Sequence, residues 1–162
     1  MAAQQLDELT TRFRDAMAAV CTPVAVVTAM DGERPHGTTV SAFSSLSMSP
    51  PSFLVSLDRG SELLGLILES EAFGINVLGS EHSALAARFA RKGKNKFEGV
   101  DWQSELGIPR IGGAAHWVAA EVMQTATVAD HTVVFGRVLA VRSETIPPLT
   151  YHDRVFGTHA AL

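Results

Sequence analysis

Cysteine occurs once in the 162-residue chain, as Cys21, which excludes an intramolecular disulfide framework and any metal site made of thiolates alone. Charge is scarce: Asp, Glu, Lys and Arg make up 19% of the residues, below the roughly 25% usual for soluble proteins. So few charges on a small surface suggest that part of it is covered, most simply by a second copy of the chain. The 13 basic residues are outnumbered by 17 acidic ones, for a net charge of -4. That balance argues against a nucleic-acid partner, whose binders are normally basic. No apolar run reaches the ~18 residues of a membrane span, because Thr22, Pro23 and Thr28 interrupt the best candidate. The start, MAAQQLDELTTRFRDAM, lacks the basic n-region and apolar core of a secretory signal. No membrane partner and a cytoplasmic location are the resulting expectations.

Several chemical signatures are missing as well. The chain has no G-x-G-x-x-G fingerprint, P-loop or nucleophile elbow. Its histidines, at 36, 82, 116, 131, 152 and 159, show no H-x3-H spacing, so no metal site is expected. A nucleotide cofactor would have to be held without the usual glycine signature.

The length suits one domain spanning 1–162, large enough to bury roughly 70% of its unfolded surface. Leu6, Leu9, Phe13, Met17 and Val20 recur at helical spacing, and Pro23 ends that helix. VAVVTA reads as a buried strand, and Phe53, Val55 and Leu57 alternate as a half-buried one. Ser61 is placed to cap a helix through Leu63, Leu64, Ile67 and Leu68. FGINVL is the next strand, Ser80 to Phe89 the next helix, closed by Gly93. Two long β-prone runs, HWVAAEVMQTATV and HTVVFGRVLAVRS, flank Ala129-Asp130 as a hairpin. The tail from Pro147 is too polar and proline-marked for a regular element. The expectation is about six strands, mostly hairpin-linked, and three helices. That is a mostly β, antiparallel barrel with helices rather than a Rossmann sheet.

Four stretches carry chemistry, each beside a plainer reading. Of the eleven residues from Gly37 to Ser47, between apolar strands, six carry hydroxyls and one is glycine. Small residues let a flat ligand approach the backbone N–H and C=O groups; the plain reading is a solvated edge strand or loop. Arg59-Gly60-Ser61 opens a helix, where free N–H groups, a hydroxyl and an arginine would form an anion site; the plain reading is an ordinary N-cap. Residues 88–97 hold five of the 13 basic residues and no acid, which suits a phosphate-bearing small molecule or merely a solvated helix end. His131, at the hairpin tip, is either a turn residue or a group touching substrate at a barrel mouth.

In this order, the motifs FRDAM, TPVAVVTAMDG, HGTTVSAFSSLSMSPPSFLVSLDRGSELL, FGINVL, LAARFARKGKNKF, GVDW, Asp130-His131 with GRV, and PLTYHDRVFG resemble the short-chain flavin reductases of two-component flavin monooxygenases. The likeness runs from about residue 12 to 158. It implies an FMN-binding split β-barrel of antiparallel, Greek-key-like strands. It further implies a homodimer that reduces FMN or FAD with NADH or NADPH, by direct hydride transfer from nicotinamide to flavin N5, and supplies a separate flavin-dependent monooxygenase. By that resemblance Thr38, Thr39, Val40, Ser41 and Ala42 run along the flavin, with Ser45 nearby. Leu57, Asp58 and Ser61 lie near its ribityl and phosphate, and Ala90, Arg91 and Lys92 add charge there. His131 is the candidate catalytic residue beside the nicotinamide, with Tyr151, Arg154 and Phe156 folding the dinucleotide over the flavin. The chain departs from the family at Ala129, where glycine is common, and at Gly60, where Asn or Ser is. A split-barrel oxidase holding FMN tightly, a non-catalytic flavin binder and a basic-loop interaction module are the alternatives.

Overall fold

The computed structural model describes residues 3–162, so the first two residues of the expected 1–162 domain lie outside the described residues. In chain order the elements are α1 (Ala3–Ala18), β1 (Thr22–Pro23), β2 (Ala25–Asp31), β3 (Arg34–Val40), β4 (Phe43–Met48), β5 (Pro51–Asp58), α2 (Glu62–Ser70) and β6 (Ala72–Val77). A 3-10 turn (Ser80–His82) leads into α3 (Ser83–Phe89), followed by β7 (Trp102–Glu105), β8 (Ile108–Ile111), β9 (His116–Val128), β10 (His131–Ser143), β11 (Leu149–His152) and β12 (Val155–Thr158).

Seven strands form one antiparallel sheet in the order β3-β2-β6-β9-β10-β5-β4. Its two edges, β3 and β4, are consecutive in the chain and separated only by Ser41 and Ala42. Flat, seven strands would hold their edges about 29 Å apart, whereas the link from Val40 to Phe43 reaches at most about 11 Å. The sheet must therefore curl round on itself, leaving a seam between β3 and β4 that no ladder closes. Register shifts at Phe135/Gly136, Val138/Ala140 and Ser45/Ser47 supply the local bends that curling needs. The result is mostly β and antiparallel, as expected, in the form of a split barrel.

Burial explains the apolar runs. Ala25, Val27 and Ala29 of β2 face the barrel interior with Phe53, Val55, Leu57, Phe73 and Val134, and α2 plugs it with Leu63, Leu64 and Ile67. Val24 and Val26 face the opposite way, onto Ala86 and Phe89 of α3 with Phe97 and Leu149. Because β2 is covered on both faces, its residues from Ala25 to Met30 are apolar rather than alternating, except Thr28, whose buried hydroxyl donates to the Pro109 carbonyl at 2.7 Å.

Three expectations need correction. Among the described residues there are twelve strands, not about six, because short pairs such as β7–β8 carry too little periodicity to read. The tail is regular: β11 and β12 form a hairpin that also pairs with β1, with the turn made by Asp153 and Arg154 at positive φ. The helix expected over Ser80 to Phe89 is split into the 3-10 turn and α3.

Candidate active site

A cleft of about 680 Å³ opens along the barrel seam, within the size usual for small-molecule sites. One wall is β3 and its link to β4, contributing Thr38, Thr39, Val40, Ser41 and Ala42. As an edge strand with β2 on one side only, β3 turns an unladdered row of backbone donors and acceptors toward the seam. The floor comes from the end of β5, with Ser56, Leu57 and Asp58, and from the α2 entrance, with Gly60, Ser61 and Glu62. The far wall is the segment after α3, with Ala90, Arg91, Lys92, Gly93 and Lys96. His131 closes one corner, brought there by pairing of β10 with Asp58 of β5.

The polar groups around this cleft are arranged unevenly. Ser61 is the N-cap of α2, yet its side chain makes no capping bond, so its hydroxyl remains open to the cleft. Asp58 orders the turn instead, its Oδ1 accepting from the Gly60 N–H at 2.6 Å. Arg91 and Lys92 are exposed and, among the described residues, have no side-chain partner. Two uncommitted cations beside an uncommitted hydroxyl at a helix start suit an anionic group. Asp130 Oδ1 lies 2.8 Å from His131 Nδ1, and that hydrogen bond holds the Asp130 carboxyl below its usual range. His36, on the same face of β3 as Thr38 and Val40, is pushed below 6.5, mainly by burial.

Residues 17–160 match the flavin reductase like domain. The chain belongs to the flavin reductase-like family. Among its relatives, actinorhodin polyketide dimerase of Streptomyces coelicolor is 40% identical over 90% of this chain and 84% of its own. FMN reductase (NADH) SmoA of Agrobacterium fabrum is 35% identical, covering 90% and 83%. The solved structure of the styrene monooxygenase flavin reductase SMOB from Pseudomonas putida S12 superposes with a TM-score of 0.86 at 31% identity, over 93% of this chain and 99% of that one.

Against the flavin reductase pattern, the cleft brings together Thr38 to Ala42, Leu57, Asp58, Ser61, Ala90, Arg91, Lys92 and His131. Four expected residues stand elsewhere. Ser45 is exposed on β4, at its register shift. Tyr151 and Phe156 pack on each other, ring centroids 5.1 Å apart, and Arg154 pairs with Asp15 of α1 at 2.6 Å. Arg59, a candidate for the anion site, instead donates to the Ala129 carbonyl across the hairpin tip. Sequence reasoning missed His36, Ser56, Glu62 and Lys96 as lining residues. Strand alternation from Thr38 is the signal that would have found His36; nothing distinguished Lys96 from its basic neighbours in 88–97.

Proposed function

We propose that this protein is an NADH-dependent flavin reductase that takes FMN or FAD in the seam cleft. The observation that carries the reading is the cleft itself, in a chain of this family. A small-residue edge strand with open backbone groups faces a helix start whose hydroxyl is free, beside Arg91 and Lys92, which have no side-chain partner among the described residues. Those features fit a flavin: the Thr38–Ala42 backbone meets the heteroaromatic edge, while Ser61, Arg91 and Lys92 hold the phosphate. When bound, the flavin supplies the acceptor for the hydride of the nicotinamide.

What the protein adds is placement and electrostatics, since hydride transfer needs two rings in contact and no protein nucleophile. Backbone N–H groups of the edge strand are fixed dipoles that favour added negative charge on the ring system. His131, steadied by Asp130, stands at the mouth to meet the nicotinamide; Tyr151, Arg154 and Phe156 would join only from outside the cleft. Relatives named as reductase partners of monooxygenases support delivery of reduced flavin to a separate monooxygenase. Among the described residues no helix is long and apolar enough to cross a membrane; a cytoplasmic location is part of the proposal.

The decisive experiment follows NADH oxidation by flavin-stripped protein, with and without added FMN or FAD, and repeats it with NADPH. Turnover appearing only with added flavin, and saturating in it, is the expected result. Flavin binding without turnover from either nucleotide would leave the fold standing and remove the function. A protein that keeps its flavin through dialysis and oxidises a substrate without NADH would instead be an oxidase.

The same reading includes a homodimer. Residues 4–17 of α1 are all exposed, including the apolar Leu6, Leu9, Phe13 and Met17. A helix with an uncovered apolar stripe and a surface short of charge fits burial against a second copy.

A further inference from the structure

Lys96 is used differently from the other cations of the 88–97 stretch. Arg88 reaches back into its own loop, to the carbonyls of Asn95 and Glu98. Arg91 and Lys92 line the cleft with no side-chain partner among the described residues. Lys96 is half-buried, and its ammonium donates to the Gly37 carbonyl of β3 at 3.0 Å and to the Phe89 carbonyl at the end of α3 at 3.1 Å. Burial lowers its pKa, against the opposing pull of Glu62, so the ammonium is desolvated for the sake of these two bonds.

The contact between β3 and α3 that Lys96 spans is otherwise tight and sparsely bonded. A Cβ on Gly37 would come within 3.1 Å of Val26 and 3.2 Å of the Phe89 ring, so the strand and helix approach each other as closely as glycine allows. Thr39 Oγ1 donates to the Ala86 carbonyl at 2.7 Å, and Thr38 Oγ1 to that of Phe89 at 3.4 Å. On an antiparallel edge strand, backbone groups of like orientation recur every second residue. Those oriented as the Gly37 carbonyl therefore belong next to Thr39, within the segment assigned to the flavin. Fixing Gly37 fixes where they stand.

We propose that Lys96 is a positioning residue for flavin binding, pinning the edge strand β3 to the end of α3 so that the Thr38–Ala42 backbone is set to receive the flavin ring system, while Arg91 and Lys92 are the cations that serve the phosphate. The proposal rests on the reading of the cleft as a flavin site. It separates two roles within one basic stretch: a cation that shapes the ring subsite and cations that meet the anion.

Riboflavin, which lacks the phosphate, separates these roles when compared with FMN in a fluorescence-quenching titration. Lys96→Met weakens both flavins by the same factor, about tenfold, on the scale of a hydrogen bond to a charged group. In turnover it raises the flavin KM and leaves kcat unchanged. Lys96→Arg, which can still bridge two carbonyls, restores both affinities to within about threefold. Arg91→Ala weakens FMN and leaves riboflavin unchanged. If Lys96→Met weakens FMN alone, Lys96 is a phosphate ligand and the proposal is overturned; unchanged affinity for both overturns it equally. Should Lys96→Met fail to fold, Lys96→Gln, whose amide cannot supply the charged donor to both carbonyls, must also weaken both flavins together, and an FMN-only or absent effect sinks the proposal. Failure of the cleft reading looks different: the unaltered protein then binds neither flavin, or Arg91→Ala does not discriminate between them.

Discussion

Ala129 sits at φ 53°, in the left-handed region that glycine enters without penalty and alanine does not. It is the first of the two residues that join β9 to β10, since Val128 pairs with His131. A short hairpin imposes that conformation whatever residue stands there. The strain is tolerated because the tip is held from outside: the Asp130 carbonyl accepts from the Arg59 N–H at 2.9 Å, and Ala129's carbonyl accepts from the Arg59 guanidinium. Ala129→Gly removes the steric cost but adds backbone freedom to the unfolded chain. The first term is about 1–2 kcal/mol and the second about 0.5–1, so the variant gains roughly 0.5–1 kcal/mol. Urea denaturation at fixed protein concentration reads this as a higher midpoint at unchanged slope. A lower midpoint would mean that the turn does not force the angle on its residue.

At the scale of elements, the seam strand shows what a sequence reveals and what it conceals. Serine and threonine between apolar runs pointed to β3 and β4 as something other than core strands, and both prove to be sheet edges. Legibility ended where contacts are long-range. Lys96 reaches Gly37 across 59 residues, and no local pattern encodes that distance. Conversely, β11–β12 was hidden because its turn places Asp153 and Arg154 at positive φ without a glycine to signal it. His36 was missed because the stretch from Gly37 was left open as an edge strand or a loop, and alternation along a strand identifies a face and not what the face confronts. Its situation has a pH consequence. Burial holds His36 below 6.5 most strongly; Lys96 and Arg34 push the same way, while Glu62 and Asp31 oppose. Between the lowered folded value and the ordinary unfolded one, the unfolded chain binds more protons, so stability rises with pH across that interval. The contribution is complete above about pH 6.5 and is lost as pH falls through the folded value. His36→Gln should flatten the stability profile below pH 6.5 while leaving it unchanged above. An unaltered acid limb would show that His36 titrates alike in both states.

For the whole molecule, the outstanding feature is a helix with almost nothing behind it. Helix α1 runs for 16 residues, and of its side chains from Gln4 onward only Ala18 is not exposed. At its C-terminal end it is tied to the tail hairpin by Asp15 with Arg154 and by the Asp153 N–H to the Ala18 carbonyl at 2.7 Å. A helix of this length is marginal in water without an apolar face to bury, and that face, with Phe13 63% exposed, is present but uncovered. A second set of exposed apolar residues, Met123, Val128, Leu139 and Val141, lies on the β9–β10 hairpin. With only 19% of residues charged, two such surfaces are better explained by burial against a second copy than by solvent. Covering a large apolar side chain contributes about 1.5–3 kcal/mol when complete, so one charge at the centre of the stripe should be enough to disrupt the contact. Phe13→Glu is therefore expected to turn a dimer into a monomer in sedimentation velocity at micromolar concentration, and to lower the helical signal as α1 frays. Because Arg154 ties α1 to the β11–β12 turn, the loss should loosen that hairpin before it disturbs the barrel seam, leaving flavin affinity nearly intact. A parent protein that sediments as a monomer with α1 fully helical would refute the dimer and leave the helix to the monooxygenase as its cover.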